Sequence, residues 1–203
     1  LIAYLETLKT SGFFAQFDRV ALIGTSMGGF AALTFSSLAP GATVVALSPQ
    51  STLNSETVPW ETRFLKGMRQ DWTLPFSDAA TQVDALGKAY VVYDPFMKPD
   101  KAHVMRLPQE NLIHLRGFGF GHKTAVVLRR LDLLKTIMQG AITGTLMPSE
   151  FYKATRTRKD LYIYRLSMEA HLTAKGQEDR MLAFRRAFRL RRQAAIALAE
   201  AQA

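Results

Sequence analysis

A serine hydroxyl is a weak nucleophile at neutral pH, so a chain that uses one for chemistry must hold it in a special place with a base beside it. Ser26 stands in such a place. Residues 20–23 form the apolar run Val-Ala-Leu-Ile, which passes directly into Gly24-Thr25-Ser26-Met27-Gly28, and an apolar pattern of helical period begins after Gly29. A buried strand, a tight turn and a helix in immediate succession put the serine at the tip of the turn, exposed and in a strained conformation. Glycine is expected at 24 and 28 because a side chain at either would meet the neighbouring strand or helix. The simpler reading, a crossover whose serine only caps the helix, leaves this set of glycines unexplained.

The nucleophile needs a general base, and the base needs a carboxylate to orient it. Four histidines are available. His103 and His171 fall in predicted helices and are expected to be packed or solvated. His114, between Ile113 and Leu115 in a predicted strand, is expected to be a satisfied core or sheet-surface residue. His122 alone follows the last strand in a loop and precedes a helix, where a base for Ser26 belongs. The loop before it, Gly117-Phe118-Gly119-Phe120-Gly121, lacks the Gly-Lys-Ser/Thr ending of a phosphate-binding loop. Its glycines are expected to leave the loop free to swing His122 over the sheet edge. Two carboxylates compete to orient the imidazole. Asp94 ends a strand at the right edge, although Asp before Pro also starts ordinary turns. Asp100 opens the next helix, where a carboxylate also complements the helix dipole. For the oxyanion, the Met27 backbone N–H at the helix start is one expected donor, with Gly28 beside it.

These residues require a scaffold of alternating strands and helices. Residues 1–8 carry an apolar stripe of helical spacing and stop at Ser11-Gly12. After the turn, 30–38 reads as a helix closed by Ala39-Pro40-Gly41, and 42–47 as a buried strand, completing a βαβ unit. Residues 48–72 are irregular and contain Pro49 and Pro59, as expected of an excursion above the strand ends, and Trp60, Arg63 and Phe64 are candidates to line a pocket there. Then come a weak helix over 78–86, a strand over 89–93, a helix over 99–107, a strand over 111–116 and one apolar helix over 124–138. Residues 150–172 and 177–203 are helical patterns separated by Ala174-Lys175-Gly176, a basic helical hairpin. The expected organisation is an α/β region over 1–140, a linker over 141–149 and the hairpin over 150–203.

Composition narrows the function classes. With 203 residues, 48% hydrophobic and 21% charged, the chain is an ordinary globular one. Its net charge of +9 invites a nucleic-acid reading, but most of the excess lies from Glu150 onward, where twelve Lys and Arg accompany six Asp and Glu. Spread around an apolar stripe, these charges read as a solvated helical face rather than a nucleic-acid surface, with a protein partner through the C-terminal helices as the other use. The absence of cysteine excludes disulfides and thiolate metal sites and fits a reducing compartment, with the cytoplasm as the default. No apolar run is long enough to span a membrane.

The turn, together with Ala46-Leu47-Ser48-Pro49-Gln50, Tyr93-Asp94-Pro95-Phe96, Pro99-Asp100-Lys101-Ala102-His103 and Gly119-Phe120-Gly121-His122, resembles the α/β-hydrolase superfamily, more narrowly bacterial esterases with a Gly-x-Ser-Met-Gly-Gly nucleophile elbow. The resemblance covers residues 1–138. It implies a mostly parallel sheet flanked by helices, N-terminally incomplete here, because such sheets have several strands before the nucleophile. The second oxyanion donor would then belong to a preceding loop. The implied activity is esterase-type hydrolysis of a small-molecule or glycan ester by Ser26, His122 and Asp94 or Asp100, with no metal or organic cofactor. Acyl transfer by the same residues, and an inactive interaction module, are the alternatives.

Overall fold

In the computed structural model, which describes residues 1–82 and 87–201, four strands form one sheet: β1 (Ala21–Thr25), β2 (Thr43–Leu47), β3 (Lys88–Tyr93) and β4 (Leu112–Arg116). They pair in the order β1-β2-β3-β4, all parallel. The short apolar runs make this arrangement possible, since parallel strands with helices on both faces can be hydrophobic at every position. Val44, Val45, Val91 and Val92 are accordingly fully buried. The pleat sends alternate residues to opposite faces. On one side Val44, Ala46, Val91 and Tyr93 pack with Phe30 and Leu33 of α2 (Met27–Thr34), which follows α1 (Ile2–Thr10) and β1, and with Val104 of α4 (Lys98–Arg106), which lies beyond the short α3 (Leu65–Met68). On the other, Val45, Leu47, Tyr90 and Val92 meet Val127 and Leu128 of α5 (Thr124–Arg130), Ile137 of α6 (Leu134–Thr143) and Phe151 of α7 (Pro148–Ala154). The chain is thus an α/β protein. Its parallel strands bring the loops carrying Ser26, Gln50, Asp94 and His122 to one edge of the sheet.

Several helices depart from the periodicity. The apolar stretch 124–138 is two helices, because Asp132 adopts a left-handed conformation (φ 55°) and Leu133 N–H closes back on the Leu128 carbonyl at 2.9 Å. Aspartate tolerates that conformation better than most residues, and the two apolar faces can then follow the curve of the sheet. The segment expected as a linker is helical to Thr143 and ends at Gly144, whose φ of 74° makes it the C-cap. The pattern over 150–172 is also interrupted: after α7 comes a 3-10 segment, Thr155–Asp160, where the Thr155 hydroxyl bonds the Phe151 carbonyl (2.8 Å), and α8 starts at Tyr162. Within 78–86, Ala79–Thr81 forms a 3-10 turn capped by Asp78, and the rest of that expected helix lies at 83–86, outside the described residues.

The hairpin forms from α8 (Tyr162–Thr173) and α9 (Glu178–Ala201), with Gly176 at φ 63° in the turn. Glu169 accepts from Arg185 (3.1 Å), and Tyr164 meets the Phe184 ring edge-on. The hairpin is tied to the sheet region by Arg158, which donates to the Phe118 carbonyl at 2.9 Å. Among the described residues, no helix is long and apolar enough to cross a membrane.

Phe151 is fully buried beside Phe120, whereas Leu190 on α9 is exposed. Phe151→Ala should therefore cost about 3–5 kcal/mol in urea unfolding, and Leu190→Ala should change it by less than about 0.5 kcal/mol.

Candidate active site

The turn after β1 is built by a backbone crossing. A Cβ on Gly24 would lie 2.0 Å from the Gly28 carbonyl oxygen, so only glycine lets the strand pass the first turn of α2. At Gly28 itself a Cβ would meet nothing within 4 Å, which corrects the expected crowding there. The crowded partner is Gly29, where a Cβ would sit 3.0 Å from Pro49 of the loop after β2. Between these contacts Ser26 takes φ 54° and ψ −120°, a strained conformation for a residue with a side chain. Two bonds hold it there: Ser26 N–H donates to the Leu47 carbonyl (2.8 Å), and Phe30 N–H donates to the Ser26 carbonyl (3.0 Å). Met27 begins α2 and is partly exposed, so its N–H is one of the helix's unpaired donors.

Ser26 Oγ lies 3.0 Å from His122 Nε2. The other ring nitrogen, Nδ1, is 2.9 and 3.0 Å from the two oxygens of Asp100. Asp100 sits in the first turn of α4 and is buried. Asp94, the other carboxylate named from sequence, does not face the imidazole. Its Oδ1 accepts the Phe96 N–H (2.9 Å) and its Oδ2 the Gly121 N–H (2.7 Å), with Ser167 Oγ of α8 donating at 3.4 Å. Burial pushes the Asp94 carboxyl up, and the two N–H groups oppose that rise. Asp94 is spent on holding the loop that presents His122.

That loop is packed rather than free to swing. Phe120 is fully buried, a Cβ on Gly117 would fall 2.4 Å from its ring, and one on Gly119 would fall 2.5 Å from Tyr164. Gly119 and Gly121 have φ of 78° and 63°, so glycine is needed here for a fixed compact turn.

Behind Asp100 lies a charged chain that the residue pattern did not reveal. Arg63 donates to Asp100 (2.7 Å) and, through Nε and Nη2, to Glu61 (2.6 Å at the shortest). Arg63 therefore points inward at Asp100 and does not line a pocket. Glu61 in turn bonds His103 Nε2 at 3.2 Å. His103 Nδ1 accepts the Ser51 N–H (3.1 Å), so the ring is neutral with its proton on Nε2. Trp60 rests against the His103 ring with centroids 4.6 Å apart and leaves part of its own surface exposed. Phe64 packs on His122 at 5.5 Å. Gln50, fully buried, straddles the Ser26 hydroxyl: its Nε2 donates to Ser26 Oγ at 3.1 Å and its Oε1 lies at 3.2 Å. Its place just past the end of β2, in the Ala46-Leu47-Ser48-Pro49-Gln50 motif, was the sequence signal for it.

Of the other histidines, His114 lies in β4 as expected, but its Nδ1 has no hydrogen-bond partner among the described residues, and burial lowers its basicity. His171 stacks on Phe96 with ring centroids 3.9 Å apart. Among the described residues, no group of three His, Asp or Glu side chains could hold a metal ion. Comparison of the chain with protein-family models, curated proteins and solved structures gives no match.

The buried chain makes the fold acid-sensitive. Burial lowers His103 from 6.5 to about 4, only partly offset by Glu61. Between those values the unfolded chain holds the extra proton, so stability falls as the pH drops through that window, by on the order of 3 kcal/mol. Burial alone would raise Glu61, but the bonds from Arg63 outweigh it and hold the carboxyl at about 2, so a further loss sets in as pH falls below 4.5. Urea midpoints measured from pH 7 to pH 4 should fall accordingly, and His103→Gln should flatten the profile between pH 6.5 and 4. A wild-type profile flat over that range would contradict a neutral buried His103. At the turn, Gly24→Ala should abolish stable folding or shift the thermal midpoint sharply, while Gly28→Ala should leave it nearly unchanged.

Proposed function

We propose that this chain is a serine hydrolase of esterase type. The observation carrying the proposal is the continuous relay in which Ser26 Oγ, both nitrogens of His122 and the Asp100 carboxylate are linked by contacts of 2.9–3.0 Å. In this reading Ser26 Oγ attacks the ester carbonyl while His122 Nε2 takes its proton. Asp100 holds Nδ1–H and stabilises the imidazolium as it forms. The Met27 N–H donates to the developing oxyanion, and Gln50 Nε2, within 3.1 Å of Ser26 Oγ, is the neighbouring side-chain donor. The protonated imidazole then returns its proton to the leaving alkoxide, and an acyl-serine remains. Water activated by the same imidazole attacks the acyl carbon, releases the carboxylate and restores Ser26. A small-molecule or glycan ester is the substrate class. The cysteine-free composition supports placing the activity in the cytoplasm.

An alkyl fluorophosphonate tests the reading directly. It should label the wild type on Ser26, and Ser26→Ala should not be labelled. Asp100→Asn should lower the labelling rate by about 10²–10⁴-fold, the usual worth of general base catalysis, while leaving the circular dichroism spectrum unchanged. A well-folded wild type that resists the probe would refute the proposal.

A further inference from the structure

Beside the relay, on the side of His122 that faces the C-terminal helices, lies an open cleft of about 950 Å³ between the segment from Pro95 to Lys101, the His122 loop and α8. Its walls are apolar: Phe96, Met97 and Phe120 from the sheet region, Ile163, Leu166 and Ala170 from α8. Leu166 keeps 45% of its surface exposed, so the cleft offers hydrocarbon directly to whatever enters.

The charges around these walls have one sign. Lys98, Lys101, Lys123 and Lys175 contribute to the cleft, and no Asp or Glu does. All four lysines are exposed, and none makes a salt bridge among the described residues. The nearby carboxylates, Asp94 and Asp100, are buried and bonded to the Gly121 N–H and to His122 and Arg63, so they do not cancel the rim. Hydrocarbon walls inside a ring of unpaired ammonium groups suit a ligand with an apolar body and an anionic head. Lysine acts as a point charge and does not require the planar geometry of a carboxylate, so a carboxylate or a phosphate head serves equally.

We infer that this cleft is a binding site for an amphiphilic anion, an alkyl or aromatic body carrying a carboxylate or phosphate. His122 forms part of its wall and is also bonded to Ser26, so a bound ligand lies against the base of the relay. On the hydrolase reading, which this consequence alone rests on, the ester's larger fragment is such an amphiphile. Binding itself does not depend on catalysis.

The test uses the 203-residue chain carrying Ser26→Ala, which removes the proposed nucleophile, titrated calorimetrically with decanoate, decyl phosphate and decyltrimethylammonium below their micelle concentrations. One or both anions should bind and the cation should not, with the stronger anion identifying the head group. Ala170→Trp, which fills the cleft from an exposed position on α8, should weaken binding by about tenfold or more, and the double variant Lys98→Glu/Lys101→Glu, which sets two carboxylates against the remaining Lys123 and Lys175, should abolish the preference for anions. Binding of none of the three, equal binding of cation and anions, or anion binding unchanged in Ala170→Trp would overturn the inference. In the wild type the preferred anion should slow fluorophosphonate labelling of Ser26. Anion binding to a protein that the probe never labels would uphold the cleft and reject the hydrolase; labelling without anion binding would do the reverse.

Discussion

The passage of Gly24 beneath the Gly28 carbonyl is the constraint on which the rest of the site depends. At 2.0 Å from a notional Cβ there is no room for adjustment, so β1 must enter α2 along a single path. That path forces Ser26 into its positive φ, which turns the side chain away from the helix it would otherwise cap. The strain, on the order of 1–3 kcal/mol, is held by bonds to both neighbouring elements: the β2 end through Leu47 and the α2 interior through Phe30. Gly29 against Pro49 then fixes the loop after β2 on the same helix turn, and this loop carries Gln50 onto Ser26. One close approach thus places the Ser26 hydroxyl, its neighbouring amide and the first unpaired N–H of α2 together.

A second constraint is electrostatic. Asp100, Glu61, Arg63 and His103 form a chain with two carboxylates, one guanidinium and one neutral imidazole, which leaves one uncompensated negative charge behind His122. Buried charges are costly unless paired and fully hydrogen-bonded. Here Arg63 joins both acids, and Glu61 is further satisfied by the Arg63 N–H at 2.8 Å. Because Arg63 is shared, Asp100 retains negative charge toward the imidazole. In the proposed reaction its counterion is the imidazolium formed when Ser26 gives up its proton, so the cluster favours the transfer that reaction requires.

Much of the scaffold was legible because it rests on local signals. Short apolar runs bounded by Gly and Pro read as buried parallel strands, and the abrupt change from strand to helix around Ser26 marked the turn. What remained unreadable depended on contacts distant in sequence. Asp94 and Asp100 end or follow the same strand, and only the path of the intervening segment decides which faces His122. Glu61 and His103 lie 42 residues apart, and Gln50 and Ser26 lie 24 apart, so no periodicity links them. The helix break at Asp132 was hidden for a different reason: its flanks are apolar on both sides, and a single left-handed aspartate leaves no trace in the pattern. Gly28 and Gly29 are adjacent and chemically identical, and only the neighbouring Pro49 separates their roles.

The hairpin, set apart by its charge, is mechanically part of the site. Asp94 uses one oxygen on both Gly121 N–H and Ser167 Oγ, so the carboxylate that fixes the His122 loop also fixes α8. Arg158 grips the same loop at the Phe118 carbonyl, and Tyr164 fills the space above Gly119, where no side chain fits. With Gly119 and Gly121 in left-handed conformations and Phe120 buried, the loop has few alternative arrangements to adopt. A displacement of α8 must therefore either break these bonds or carry His122 with it. At a Ser26 distance of 3.0 Å, a movement of even 1 Å would remove the hydrogen bond. The helices that look most dispensable in sequence thus help to set the one distance the proposed chemistry cannot do without.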